Sequence, residues 1–152
     1  MNTDKKYVKC DVCQNDVLID SFGNGDECII CGWRQSEESF DHPDIAGIRN
    51  IPSLNNAIKQ FKEGKSAIVA NFNDFIMAFK NYGELEFTYN NIRYGILFDD
   101  AANKIVLLNI SDKQKQYFES IDDFEQNANI DGVHLKVLWN SVTNTDFLQD
   151  TY

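Results

Sequence analysis

Cys10 and Cys13, then Cys28 and Cys31, form the pattern C-x2-C-x14-C-x2-C. A C-x2-C segment presents two sulfurs from one tight turn. Two such turns brought together place four thiolates at the corners of a tetrahedron, the coordination of a structural zinc ion. Four sulfurs fill the sphere and leave no position for water or substrate, so the expected role is structural. Rubredoxin-like iron uses the same ligands and geometry and is the rival metal. Thioredoxin-like redox use of one C-x2-C needs a βαβ setting, which is not legible here.

The elements that must position these sulfurs are short. Val17, Leu18 and Ile19 read as a strand, Gly23-Asn24-Gly25-Asp26 as a turn, and residues 27–30 as the returning strand. The expectation is a knuckle, a hairpin and a second knuckle: a zinc ribbon over residues 1–45. A ribbon this small cannot build a core, so the metal must supply much of its folding energy. Residues 35–52 are polar, contain both prolines and read as an irregular connector. Residues 53–63 then read as a linking helix. Ser53 is placed to cap it, Leu54, Ala57, Ile58 and Phe61 share one face, and Gly64 is placed to end it. The linker and helix together take residues 46–65.

Residues 66–152 read as a small α+β domain. Asn73 is placed to cap a helix carrying Phe75, Ile76 and Phe79, ended by Tyr82-Gly83. Leu85, Phe87 and Tyr89 alternate with polar residues at the strand period. Asn90-Asn91 turns the chain, Arg93–Phe98 returns, residues 99–103 turn again and Lys104–Ile110 follows. The prediction is a three-stranded antiparallel sheet. Ser120 opens a helix with Ile121 and Phe124 inward, and Asp131-Gly132 opens another carrying Val133, Leu135, Leu138, Trp139 and Val142. The three helices of this unit are expected to cover one face of the sheet.

The chain has 152 residues and a net charge of −10. Residues 1–65 hold 8 Lys+Arg against 11 Asp+Glu, and residues 66–152 hold 6 against 13. Nucleic-acid binding needs a basic face to neutralise phosphates, and no basic run is present, so direct nucleic-acid binding is disfavoured. No apolar leader precedes the first cysteine and no apolar run spans a bilayer, which points to a cytoplasmic protein with no membrane contact. Acidity of this size confers solubility and attracts basic partners.

Other chemistry finds less support. His42 and His134 lie near no serine or cysteine that would complete a catalytic arrangement. Gly23-x-Gly25 sits inside a predicted hairpin and opens no helix, so it fails as a phosphate loop. Asp99-Asp100 and Asp122-Asp123-Glu125 pair carboxylates, which can hold magnesium or do acid–base work. Asp99-Asp100 also suits a hairpin turn, and Asp122 and Asp123 suit the first turn of a helix, where the macrodipole favours acids. As a surface for a basic partner, these five acids are the candidates.

The first 64 residues resemble the cysteine-rich CPCC family of bacterial proteins. The likeness is carried by Cys10-x2-Cys13, Cys28-x2-Cys31-x-Trp33 and the Ser53-Leu54-x2-Ala57 helix through Phe61 and Gly64. Asp11 stands where that family has the proline of its name, and Ile29 replaces the usual proline after the third cysteine. The C-terminal unit resembles an uncharacterised domain of bacterial and phage proteins, through Glu86–Asp100 and Ile130–Trp139. The first resemblance implies the four metal ligands and an interaction module, in some members an immunity protein that neutralises a toxin. The expected function is therefore a non-enzymatic protein-interaction module, an immunity protein with a basic toxin as partner. The alternative is a zinc-ribbon adaptor contacting transcription or translation machinery.

Overall fold

A computed structural model of the chain describes residues 6–19 and 27–148. The predicted turn at Gly23–Asp26 lies outside them. Strands β1 (Lys6–Lys9) and β2 (Asp16–Ile19) pair antiparallel, Lys9 opposite Asp16. The first C-x2-C is therefore the tip of its own hairpin. This corrects the expected pairing of residues 17–19 with 27–30. Residues 27–34 instead fold back on themselves, with Glu27 bridged to Arg34 around the second C-x2-C.

The stretch read as an irregular connector contains helix α1 (Glu37–Asp41), capped by Ser36 Oγ accepting from the Ser39 N–H. Helix α2 (Leu54–Lys62) starts at Ser53, whose hydroxyl accepts from Asn56 N–H, and Gly64 follows its end. Helix α3 (Phe72–Tyr82) is capped by Asn71 and not by Asn73, its side chain accepting from Asp74 N–H at 2.8 Å. Asp74 in turn is buried and accepts from the Ser53 N–H and the Asn56 amide, both at 3.0 Å. One carboxylate thus joins the starts of α2 and α3. Gly47, at φ +87°, lies flat on α3. A Cβ there would meet Ala78 Cβ and Tyr82 Cδ2 at 2.8 Å each, so only glycine permits this approach.

The protein is α+β, with a five-stranded antiparallel sheet where three strands are expected. Strands β3 (Leu85–Tyr89), β4 (Ile92–Asp99) and β5 (Lys104–Asn109) form the predicted meander. Strand β6 (Lys115–Phe118) adds to β5 at one edge, followed by helix α4 (Ile121–Asn127), capped as expected by Ser120. The expected helix opening at Asp131-Gly132 is absent. Asp131 (φ 53°) and Gly132 (φ 82°) instead turn a small hairpin of β7 (Asn129–Ile130) and β8 (Val133–His134). An Asp-Gly pair with both φ positive is a favoured two-residue hairpin turn. Helix α5 (Leu135–Leu138) lasts one turn and tightens into a 3₁₀ turn over Trp139–Ser141. The chain then enters strand β9 (Val142–Phe147), which pairs with β3 and completes the order β6-β5-β4-β3-β9. A bulge near Thr143 lets Val142 and Thr145 both turn inward beside Tyr89 and Phe87.

One core face of the sheet carries Leu85, Phe87, Tyr94, Ile96, Ile105, Leu107 and Phe118. Phe75 and Phe79 of α3, Phe124 of α4 and Leu135 and Leu138 of α5 join the same cluster. Its centre is aromatic: Phe87 stacks on Tyr94 at 5.3 Å and meets Trp139 at 5.1 Å and Phe75 at 5.7 Å. A second, smaller cluster holds Cys10, Val12, Cys28, Trp33, Leu54, Ala57 and Ala67, so α2 packs on the cysteine module. Arg34 ties that module to the rest of the chain. Its backbone N–H donates to Asn50 Oδ1 at 2.9 Å, its carbonyl accepts from Asn50 Nδ2 at 3.0 Å, and its guanidinium lies 3.8 Å from Asp146.

Candidate metal centre

The two cysteine turns share one backbone design. In the first, Cys10 N–H donates to Asn15 O and Cys10 O accepts from Gln14 N–H, both at 3.0 Å. In the second, Cys28 N–H donates to Trp33 O and Cys28 O accepts from Gly32 N–H, both at 2.8 Å. Gln14 (φ 62°) and Gly32 (φ 82°) occupy matching left-handed positions, which reverse the chain and turn both sulfurs inward. Gly32 also lies against the segment that follows α2: a Cβ there would stand 3.2 Å from Ile68 Cδ1.

The four sulfurs lie within 4.8 Å of one another. Cys10 Sγ is 3.5 Å from Cys31 Sγ and Cys13 Sγ is 3.7 Å from Cys28 Sγ. A tetrahedron with metal–sulfur bonds of about 2.3 Å has sulfur–sulfur edges of about 3.8 Å. These sulfurs, none of them in a disulfide, fit a tetrahedral metal ion. In each turn the first cysteine is buried, Cys10 at 0% and Cys28 at 2% exposure, and the second is half-buried. The Ile30 N–H donates to Cys28 Sγ at 3.4 Å, the first of the donors a cluster of thiolates requires.

The contact between the Cys10 and Cys31 sulfurs, against the effect of burial, brings the Cys10 thiol down to about 4. That same contact, with burial, drives Cys31 well above the ordinary thiol range. Burial raises Cys28. A metal ion entering the cluster must displace the protons of Cys28 and Cys31, which makes its affinity fall as pH falls.

The five candidate acids are not at this centre. The register places Lys104 at the start of β5 opposite Asp99 and one residue short of Ile105, itself opposite Phe118. This brings the Asp99-Asp100 turn and the β6–α4 junction to the same end of the sheet, where Lys104 Nζ meets Glu119 at 3.1 Å. Asp99 accepts from the Ala101 and Ala102 N–H groups, the task of a turn residue. Asp123 accepts from Glu119 N–H and Asn127 Nδ2, and these two bonds hold its carboxyl below the usual range. Asp122 and Glu125 lie in the same short helix. His42 and His134 are exposed and join no metal-ligand cluster among the described residues.

Three features beyond the sequence reading stand out. The tip of the second cysteine turn, between Cys28 and Cys31, presents Ile29 at 92% and Ile30 at 54% exposure. Gln35, in the stretch read as polar connector, is completely buried. A cleft of about 770 Å³ between α2 and the α5–β9 segment has Val69, Phe72, Trp139 and Val142 among its lining and Lys59, Lys65 and Lys136 around it. An -Ile-Ile- pair between cysteines was the one visible signal of the first. The second and third depend on which side of an irregular segment faces inward.

Comparison with protein-family models, with curated proteins and with solved structures finds no match to this chain. No helix among the described residues is long and apolar enough to cross a membrane.

Proposed function

We propose that this chain is a protein-interaction module whose N-terminal zinc ribbon is a binding tip, and that it acts as an immunity protein against a basic toxin. The exposed Ile29-Ile30 pair carries the reading. Apolar side chains of this size cost free energy when left in water, on the order of 1.5–3 kcal/mol each relative to burial. Here they are carried by a loop whose ends are both metal ligands, so a partner meets them already ordered and loses little entropy in binding them. Zinc is the metal we assign, since four thiolates suit it and it brings no redox chemistry. Iron would show itself by colour and by metal analysis. A reducing cytoplasm, which keeps the thiols free, suits the site.

The acids supply selection. With a net charge of −10, the chain is drawn to a basic surface, and Asp99, Asp100, Asp122, Asp123 and Glu125 gather part of that charge at one sheet end. Opposite charge speeds encounter, and an apolar anchor slows release. The test is retention of partners from the source cell's lysate by the tagged parent, by Ile29→Ser/Ile30→Ser, and by Asp99→Asn/Asp100→Asn/Asp122→Asn. The expected result is one basic protein, held by the parent at high salt, lost by the isoleucine variant, and bound more slowly by the acid variant. That protein's own activity should be blocked by the parent chain in stoichiometric amounts. A polymerase or ribosomal component in its place would establish the adaptor. Equal retention by the parent and both variants would remove the tip from the account.

A further inference from the structure

The cleft between α2 and the α5–β9 segment shares no lining residue with the cysteine turns or with the Ile29-Ile30 tip. Its volume of about 770 Å³ falls in the ordinary range for small-molecule sites, about 300–1,000 Å³. Phe72, Trp139 and Val142 line it and are otherwise buried, so they form an apolar floor.

The walls are built before any ligand arrives. Residues 66–70 belong to no helix or strand, yet their backbone is pinned from both sides. Gln60 Nε2 donates to Ser66 O and to Val69 O, both at 2.8 Å. Thr145 Oγ1 accepts from Ala70 N–H at 2.9 Å and donates to Ile68 O at 3.3 Å. Trp139 Nε1 donates to Ala70 O at 2.8 Å, which fixes the indole. A site already ordered in this way costs a ligand little on binding.

The charge in the cleft runs against that of the chain. The whole sequence holds 14 Lys+Arg against 24 Asp+Glu. The lining among the described residues holds Lys59, Lys65 and Lys136 against Glu63 alone. Glu63 is answered by Lys65 at 3.4 Å. Lys59, in the last turn of α2, and Lys136, in α5, have no ion-pair partner among the described residues. Two ammonium groups are thus left beside an apolar floor. The acidity of the remaining chain repels a long polyanion, so the anion that fits is small.

We propose that this cleft binds a small organic carboxylate, its aromatic or branched apolar body on Phe72, Trp139 and Val142 and its carboxylate held by Lys59 and Lys136. The lysine stems are long enough to adjust to the position of the charge, and the apolar floor supplies most of the affinity. This site stands independently of the interaction module proposed above.

The experiment titrates the full chain with naphthalene-2-carboxylate and 4-phenylbutyrate, each beside its neutral amide, and follows backbone amide shifts by NMR. Expected is saturable binding of at least one acid, with the shifts confined to residues 56–72 and 136–143. Its neutral amide should bind about 3–10-fold more weakly, since two exposed charge contacts are lost. Lys59→Gln/Lys136→Gln should bring the acid down to the affinity of the amide and leave the amide's own binding unchanged. Asn140→Trp, at an exposed position of the lining, should fill the cleft and abolish both. All three positions are exposed, so the variants are expected to keep the fold, which their own spectra check. Failure of both acids to bind saturably overturns the proposal. So do an acid and amide that bind alike, shifts that fall elsewhere, or a lysine variant that binds the acid as the parent does. A peptide ending in phenylalanine that binds there when the free acids do not also overturns it, and makes the cleft a protein-docking groove.

Discussion

Removing the metal with a strong chelator, or replacing Cys28 by serine, will unfold the cysteine module and leave the five-stranded sheet folded. The module's buried cluster is small, and two of its members, Cys10 and Cys28, are themselves among the four candidate ligands. Its only described regular strands are the four-residue β1 and β2. An isolated two-stranded hairpin is marginal in water. Metal binding at such sites is worth about 10–16 kcal/mol at neutral pH, far more than this cluster can supply. The sheet has its own core, with Phe75, Phe87 and Phe124 fully buried and no dependence on the sulfurs. Amide exchange should therefore collapse to the solvent rate over residues 6–19 and 27–36 and persist over β3–β5. Acid should mimic the chelator, because protons compete for the same thiolates. Loss of protection across the whole chain would show that the two clusters fold as one unit. Unchanged exchange in the cysteine module would show that the metal is not structural.

The second large effect is expected at Phe87. Its ring is completely buried between Tyr94, Trp139 and Phe75. Phe87→Ala removes the shared partner of three aromatic contacts and opens a cavity that the rigid sheet cannot close. The expected cost is about 3–5 kcal/mol, a large share of the stability of a domain this size. Urea titration followed by Trp139 fluorescence would measure it. A loss below about 1 kcal/mol would mean that the core re-packs around the gap, and that the aromatic cluster is less constrained than its geometry implies.

The cysteine cluster was legible because its signal is chemical. Cysteine at that spacing has few alternative uses, and four of the pattern's residues converge as the pattern requires. The β3–β5 meander was legible because Leu85, Phe87 and Tyr89 alternate with polar residues, and the turn signals at Asn90-Asn91 and residues 99–103 set off two further apolar segments. β6 and β9 were hidden for the opposite reason. Lys115–Phe118 turns only Phe118 fully inward. In Val142–Phe147 the bulge breaks the alternation, and the inward Thr145 is polar because its hydroxyl is needed by Ala70 N–H at 2.9 Å. The late helix was over-read. Leu135, Leu138 and Trp139 do keep helical spacing, but only one turn of helix stands behind it, and Asp131-Gly132 is a hairpin turn first. Asp99 was read as a turn residue and Asp123 as an acid of a helix's first turn, as well as partner contacts, and their hydrogen bonds match the local role.

The two cysteine turns differ at one matched position, glutamine in the first and glycine in the second, and both backbones are left-handed there. That conformation costs a residue with a Cβ about 1–2 kcal/mol and glycine almost nothing. The first turn therefore stores strain that the second does not. Each turn also leaves its second cysteine half-buried, so Cys13 and Cys31 are the more accessible of the four. Were these residues to hold an ion, the two sides of the site would not yield alike: Cys13, on the strained turn, would be the corner that gives way first to a competing thiol, while Cys10 and Cys28 stay sheltered behind it.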